Sequence, residues 1–208
     1  MEEDENTPQS LPEWVVLEYQ HMRTLAGPSS SVHFTHLSQS STDSLTSMFS
    51  SAPSASTLAA AHAHTESILP FLSSLSIPLE KVCLLDPKAT KEISPADAME
   101  FNCFLFGGIL GDDPPRDRTS ELRALGFPSR HLGPVQMTTD TALGVTKQVV
   151  EEGVPLSKIP YIDFPTIQFS AKESVEMPFR YISQDGSPLL PPGMKDLLKR
   201  DLDRSFDF

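Results

Sequence analysis

The chain has 208 residues, 38% of them hydrophobic, which is enough for one core and indicates a single domain over residues 1–208. No stretch approaches the roughly 18 consecutive apolar residues of a membrane-spanning helix. The acidic, polar start MEEDENTPQS does not have the pattern of a secretory signal. A formal net charge of −12, from 28 acidic and 16 basic side chains, disfavours a protein that grips a nucleic-acid backbone and favours a positively charged partner.

The first predicted element is a helix that starts at the capping-box pattern Ser10-Leu11-Pro12-Glu13. Apolar residues then recur at steps of three and four as far as Ala26, which is the spacing of one helical face. Gly27-Pro28 is expected to end this helix.

A serine-rich insertion at about residues 29–60 follows, and its low complexity predicts a weak helix or a mobile loop. Within it, Val32–Leu37 alternates enough to form a short strand. Leu58–Leu75 is predicted to be helical, with an interruption at Pro70. His62 and His64 would point to different sides of such a helix, so no metal site is expected there.

From residue 80 onward, short apolar runs alternate with helix-length segments, and each run ends at a turn signal. This rhythm predicts an α/β fold with a mostly parallel sheet flanked by helices. Ligands of such sheets bind beyond the carboxyl ends of the strands. The predicted strands are Val82–Leu85, Asn102–Phe106, Arg130–Leu132 and Ile159–Ile162, and the predicted helices are Ser120–Leu125, Thr139–Glu152 and Met194–Leu202.

The two cysteines, Cys83 and Cys103, lie in short apolar runs and do not form a C-x-x-C pair. We interpret both as small core residues in a reducing compartment, which predicts the cytosol or the nucleus, with a cytoplasmic location preferred, and no metal ligand.

The densest run of candidate functional residues is FLFGGILGDDPPRDRT, residues 104–119. Its glycines follow a predicted strand, where they allow the backbone to approach a ligand closely. The run is neither a P-loop nor a G-x-G-x-x-G dinucleotide motif. Its charged residues could equally form a solvated loop: Asp112, Asp113, Arg116, Asp117 and Arg118.

A second run, LGPVQMTTDTA at residues 132–142, places Thr138 or Thr139 at a helix N-cap and Asp140 in the first turn. Taken alone, this pattern indicates a well-capped helix and no chemistry.

Together, three blocks resemble the signature blocks of a fungal and archaeal branch of the SPOUT methyltransferases: FGGILGDDPPRDRTSELRALGF, RHLGPVQMTTDTALGVTK and IPYIDFP. The best-known eukaryotic member of that branch methylates an arginine in a protein of the small ribosomal subunit. The resemblance covers nearly the whole chain except residues 1–10 and about 29–60.

The resemblance implies a C-terminal trefoil knot, an exception to the rule against threaded chains, and S-adenosylmethionine as cofactor. It places the cofactor among three loops, Leu85–Lys88, Phe106–Gly111 and Leu132–Ala142. It also implies a monomer, whereas the net charge and the lack of a long apolar run predict no direct binding to nucleic acid or membranes. The implied cofactor-binding residues are Leu105, Phe106, Gly107, Gly108, Gly111, Leu132, Gly133, Val135, Met137 and Thr138.

Arginine is a poor nucleophile because its guanidinium is delocalised and keeps its proton up to a pKa above about 12. A pair of carboxylates can hold two of its nitrogens, and one of the pair can accept the proton that is released. We expect Asp113 and Asp140 to be this catalytic pair, since each lies in or beside a cofactor loop. The structural alternatives are that Asp140 only caps its helix and that Asp117 pairs with Arg118 or Arg123; Glu121 and Asp163 are further candidates.

The chain departs from the family pattern because its start lacks the usual short apolar strand, and because its serine-rich segment is expanded. Two other functions therefore stay open at this point. One is an RNA methyltransferase, which is the commoner activity of the superfamily. The other is a remnant that binds the cofactor without turnover.

Overall fold

The computed structural model describes residues 11–51, 57–108, 117 and 119–205, and these form seven helices and ten strands. Short 3-10 turns lie at Leu79–Lys81 and Leu156–Lys158. The helices are α1 (Glu13–Ala26), α2 (Gln39–Ser51), α3 (Ile68–Ser74), α4 (Asp97–Glu100), α5 (Ser120–Ala124), α6 (Thr139–Val150) and α7 (Met194–Ser205). The strands are β1 (Ser31–Phe34), β2 (Ala60–Ala63), β3 (Val82–Leu85), β4 (Cys103–Phe106), β5 (Ser129–Arg130), β6 (Tyr161–Asp163), β7 (Thr166–Gln168), β8 (Ser174–Glu176), β9 (Arg180–Gln184) and β10 (Ser187–Pro188).

The central sheet is parallel, with strand order β4-β3-β5, as the rhythm of the sequence predicts. All four residues of β3 are buried, which explains why this strand is a continuous apolar run rather than an alternating one. Cys83 and Leu85 pack into the core that α6 covers, whereas Val82 and Leu84 pack on the opposite face around Leu72. Both cysteines are free, and Cys83 is fully buried as expected.

A second parallel pair, β1-β2, corrects the helix predicted over Leu58–Leu75. Residues 60–63 form a strand because they pair with β1 along its length, and only Ile68–Ser74 is helical. Pro70 lies in the first turn of α3, where its missing N–H costs no helical hydrogen bond. Residues two apart on a strand share a face, so His62 and His64 gather with His33 instead of pointing apart, with the His33 and His62 ring centroids 4.9 Å apart.

The serine-rich segment contains regular structure, namely β1 and α2. The sequence predicted a weak helix or a mobile loop for its low-complexity part, and the structure has a helix there, α2. Leu45 of α2 is fully buried and packs in one cluster with Val15, Met22 and Phe34. These apolar contacts compensate for the weak helix propensity of the surrounding serines and threonines.

The C-terminal part is antiparallel, which corrects the expectation of a mostly parallel sheet. Strand β9 pairs with β6 and β10, and β7 pairs with β8. A parallel strand needs a crossover of a dozen or more residues, usually a helix, whereas antiparallel strands can follow one another through tight turns. The connection between β9 and β10 is one such turn, and it contains Asp185 at a φ of 51° and Gly186 at a φ of 77°.

Helices α1 and α6 approach closely and in parallel. At Gly144, an added Cβ would lie 3.2 Å from Ile182 Cδ1 and 3.3 Å from a methyl group of Leu25. Further along, Lys147 Nζ donates a hydrogen bond to the carbonyl of Ala26, the last residue of α1. Because the two helices run in parallel, the first turn of α6 lies against the middle of α1.

Within the described ranges, no helix is both long enough and apolar enough to cross a membrane.

The burial of Leu45 makes the packing of α2 testable. We expect Leu45→Ala to lower the free energy of unfolding by about 2–5 kcal/mol, because it removes buried methyl groups and leaves a cavity. The matched control Leu75→Ala, at a side chain 49% exposed, should change it by no more than about 0.5 kcal/mol. Urea denaturation of both variants checks this, and equal losses would show that α2 does not pack as described.

Candidate functional site

The carboxyl ends of β3, β4 and β5 meet at one edge of the central sheet, because the three strands are parallel and in register. The segments that leave this edge are 86–88, 107–108 and 131–138. They correspond to the three loops that the sequence singled out for a cofactor. The structure therefore brings together most of the predicted cofactor-binding residues, although Gly111 and Asp113 lie outside the described residues.

The glycines after β4 differ in what surrounds them. Gly107 is buried, and an added Cβ would lie 3.1 Å from Thr119 Oγ1, so a side chain at this position would require Thr119 to shift. Gly108 is exposed, and an added Cβ would meet nothing within 4 Å. The side chains before them diverge, since Leu105 packs towards the Leu72 core and Phe106 towards the α6 core. Gly108 thus presents bare backbone to open space.

The loop that leads into α6 is held by backbone contacts. Gly133 has a φ of 94°, which only glycine adopts without strain, and its N–H donates to His131 Nδ1 at 3.1 Å. The N–H of Arg180 in β9 donates to the carbonyl of Gln136 at 2.8 Å. Met137 is buried beside this contact, and Leu132 and Val135 are half-buried, which leaves apolar surface at the sheet edge.

Asp163, one of the candidate carboxylates, is used in an ion pair. Arg180 donates from Nε and Nη2 to its two oxygens at 2.6 and 2.8 Å. This pairing holds the pKa of Asp163 below its usual range. The same guanidinium lies over the Tyr161 ring, 4.7 Å from its centroid. Asp163 therefore fixes the strand pair that supports the loop before α6.

The turn after β3, within the loop Leu85–Lys88, is built on Asp86. Asp86 is 2% exposed and accepts two hydrogen bonds from Arg123, at 2.5 and 2.7 Å, and one from the Lys88 N–H. Arg123 and Lys88 both reach Asp117 as well, and together they lower its pKa to about 2. Asp117 therefore forms one of the two structural ion pairs that the sequence offered in place of a catalytic role, and its partner is Arg123. Glu121 is exposed on α5.

Asp140, in the first turn of α6, is fully buried. Its Oδ2 lies 2.7 Å from His21 Nδ1 of α1, and the His21 tautomer with its hydrogen on Nδ1 donates to the carboxylate. Its Oδ1 has no hydrogen-bond partner within the described part of the chain. The N-cap residue Thr138 donates to Thr141 Oγ1 and makes no side-chain cap. Asp140 is thus tied to α1 and keeps one oxygen free.

The free oxygen belongs to a residue that lines a cavity of about 190 Å³. Buried Glu18 of α1 and Tyr181 of β9 also line it, and the Tyr181 hydroxyl likewise lacks a partner among the described residues. The remaining wall is mainly apolar. It is formed by Trp14, Thr138, Thr139, Met177, Phe179, Leu190, Pro191, Met194 and Leu198.

Glu18 was missed from the sequence, although a signal was present. It lies three residues after Val15 and four before Met22, within the stripe that the apolar residues define. Burial raises the pKa of Glu18 to about 8, and the neighbouring charge of Asp140 adds to the shift. Burial also raises the pKa of Tyr181 well above its usual range. Near neutral pH this cavity therefore contains a protonated carboxyl group and a neutral phenol.

The parallel sheet edge and the carboxyl-lined cavity meet at the start of α6, and this arrangement defines a class of protein. It is a mixed α/β protein with a parallel sheet edge of the kind at which such folds bind ligands, and with a cavity beside that edge. A family model described as protein arginine N-methyltransferase SFM1-like matches residues 2–205. The chain belongs to that family, which confirms the branch named from the sequence blocks.

Two kinds of relatives support this assignment. Protein arginine N-methyltransferase SFM1 of Saccharomyces cerevisiae is 49% identical over 132 residues, which are 61% of this chain and 62% of that protein. The chain's match therefore spans less than two thirds of that relative. The crystal structure of yeast SFM1 complexed with SAM has a TM-score of 0.78 and 36% identity, over 93% of this chain and 87% of that one. A structure described as a novel protein arginine methyltransferase has a TM-score of 0.77 and 36% sequence identity, over 93% of this chain and 96% of that one.

The raised pKa of Glu18 predicts how stability depends on pH. Between about 4.5 and about 8, Glu18 is ionised in the unfolded chain but protonated in the folded one. The unfolded chain then binds fewer protons, so this group lowers the free energy of unfolding as pH rises, by up to about 1.4 kcal/mol per pH unit.

The Glu18→Gln variant, which cannot ionise, should lack this loss and be more stable than the unmodified chain at pH 8. Thermal unfolding between pH 5 and 8 measures the effect, with the exposed Glu152→Gln as control. Parallel pH profiles for all three proteins would contradict it.

Proposed function

We propose that this protein transfers a methyl group from S-adenosylmethionine to an arginine side chain of a basic protein. The observation that carries the proposal is the buried carboxylate of Asp140, which has one oxygen without a hydrogen-bond partner among the described residues and lines a cavity beside the predicted cofactor loops. Family membership and the likeness to yeast SFM1, which was solved in complex with SAM, support the same activity.

The residues at the sheet edge fit the proposed cofactor. An adenine ring needs an apolar surface and backbone groups at its rim, and half-buried Leu132 and Val135 with the bare backbone of Gly108 offer both. Leu105, Phe106, Gly107, Gly133, Met137 and Thr138 complete the proposed set, and Gly111 belongs to it from the sequence. When bound, S-adenosylmethionine supplies a methyl group on a positively charged sulfur.

The chain's own residues would then orient the nucleophile and accept a proton. Asp140 holds the guanidinium through its free oxygen, while His21 fixes the other oxygen and thereby the direction of the carboxylate. The guanidinium nitrogen forms its bond to the methyl carbon as the electron pair of the sulfur–carbon bond returns to sulfur. That nitrogen gives up one N–H proton to the carboxylate of Asp140. Asp113 remains a proposed second catalytic carboxylate on the strength of its place in the sequence blocks.

The finer features implied by the sequence belong to the same proposal. The net charge of −12 favours a basic substrate, such as a protein of the small ribosomal subunit, over a phosphate backbone. We also propose a C-terminal trefoil knot, a monomeric state, a single domain and a cytoplasmic location.

The open space at Gly108 allows a test of the cofactor loops. We expect Gly108→Val to weaken binding of S-adenosylmethionine at least tenfold, because the side chain would occupy the space reserved for the ligand. The melting temperature without cofactor should stay nearly unchanged, since an added Cβ meets no atom of the described residues within 4 Å. Isothermal titration calorimetry and thermal unfolding measure the two effects. Unchanged affinity would remove this loop from the cofactor site.

The activity itself is tested by transfer of radiolabelled methyl groups into a ribosome preparation, followed by separation of protein from RNA. We expect label in protein, lost when the accepting arginines are changed to lysine. Asp140→Asn should lower kcat by roughly 10²–10⁴-fold, because it removes the group that accepts the proton, and it should keep cofactor binding. The exposed Asp43→Asn serves as control.

Label in RNA would instead support the RNA methyltransferase alternative. Cofactor binding without any label would support the inactive remnant. Full activity of Asp140→Asn would remove Asp140 from the mechanism.

A further inference from the structure

The cavity bounded by α1, β9, α7 and the start of α6 has an apolar wall and carboxyl groups at one side. We propose that it binds the side chain of the arginine that is methylated, with Glu18 acting beside Asp140 as the second carboxylate for the guanidinium. This inference rests on the proposed function and adds a residue, Glu18, that the sequence blocks do not mark. It does not depend on Asp113.

Two buried oxygen atoms of the residues that line the cavity are available to accept hydrogen bonds from a ligand. Asp140 Oδ1 and the Tyr181 hydroxyl are buried without partners among the described residues, and both residues line this cavity. Buried polar groups of this kind destabilise a fold unless something satisfies them. A guanidinium carries five N–H donors and no acceptor, so it complements two carboxylates and a phenol oxygen. It also suits the sign of the charge, because the described lining contains neither Lys nor Arg.

The size of the cavity selects one side chain rather than a whole nucleoside. Its 190 Å³ is below the roughly 300–1,000 Å³ of pockets that enclose a drug-sized ligand. The apolar wall would receive the methylene groups of arginine, with Leu198 and Met194 on the α7 side. Trp14 and Phe179 add aromatic rings that can attract the cation. S-adenosylmethionine is thus placed at the sheet edge and the arginine in the cavity, with the first turn of α6 between them.

Occupation of the cavity should release a proton. In the free protein Glu18 is a neutral acid because burial and Asp140 raise its pKa to about 8, and an entering guanidinium would favour its ionised form. The proton then leaves to solvent, and two carboxylates face one cation. The other titratable groups here are His21 on α1, Asp140 on α6 and Tyr181 on β9, whereas α7 lines the cavity with Met194 and Leu198. Affinity for the arginine should therefore rise with pH up to about 8.

The experiment is calorimetric titration of the full chain with a basic peptide that contains one arginine, in two buffers of different ionisation enthalpy at pH 7. We expect most of one proton to be released by the unmodified protein. Glu18→Gln should release none and bind roughly tenfold to a hundredfold more weakly, the cost of losing one charge-assisted hydrogen bond. Peptides with citrulline or lysine at the same position should bind at least tenfold more weakly than the arginine peptide.

Two variants separate this role from a general structural one. His21→Asn keeps a donor for Asp140 but cannot titrate, so proton release should persist in it. The exposed Glu152→Gln should behave as the unmodified protein. In the methylation assay, Glu18→Gln should raise KM for the peptide by the same factor as it weakens binding, while affinity for S-adenosylmethionine stays within twofold.

The outcomes distinguish this inference from the function on which it rests. If the unmodified chain methylates arginine but Glu18→Gln has unchanged KM, or if no proton is released, the role of Glu18 is refuted and the activity stands. If the peptide binds with proton release but methyl label enters RNA only, the cavity is a guanidinium site and the proposed activity is refuted.

Discussion

The hydrogen bond between His21 and Asp140 joins residues that are 119 positions apart, and the arrangement of the site depends on it. It pins the first turn of α6 to the middle of α1, and the close approach at Gly144 continues the contact towards the carboxyl ends of both helices. Because α6 follows directly from the loop at the sheet edge, the same contact places that loop beside the cavity. The protein retains a buried carboxylate here although burial of a charge is costly, and a hydrogen-bonded histidine offsets only part of that cost.

Two charge networks with different roles surround the proposed site. At the sheet edge, Arg123 forms ion pairs with Asp86 and Asp117, and Arg180 forms one with Asp163. Each of these carboxylates is thus paired with an arginine. In the cavity, Glu18 and Asp140 share no basic side chain among the residues that line it. Carboxylates with a basic partner stabilise loops in one geometry, whereas carboxyl groups without a basic side chain in the cavity wall can attract a cation. The contrast separates the residues that hold the loops in place from those that we propose bind the substrate.

The sequence predicted the elements whose signals are local and strong. The run VCLL, the helix after Thr138 and the amphipathic tail are confirmed with small shifts at their ends. The strand at residues 60–63 was taken for a helix because alanine favours helices, and its true state depends on a partner strand some thirty residues away. The antiparallel pairing of β6 with β9 was missed for a similar reason, since pairing direction is set by connections that periodicity does not reveal.

The same difference between local and long-range signals applies to the candidate site. The cofactor loops followed from glycine placement and from the resemblance, and the parallel register brings them together. The cavity could not be foreseen, because Glu18, Asp140, Tyr181 and Met194 come from four elements spread over the whole chain. Only the buried stripe of α1 hinted that Glu18 faces inward.

The parallel contact of α1 and α6 also fixes the position of Glu18 along and around α1, relative to the cavity. Contacts at His21–Asp140, Leu25–Gly144 and Ala26–Lys147 advance in step along both helices, so neither helix can slide without breaking all three. A helix turns by about 100° per residue. A single residue inserted between Glu18 and His21 would therefore leave α1 helical but swing Glu18 out of the cavity. Length in this stretch of the helix is constrained as strictly as the identity of the residues.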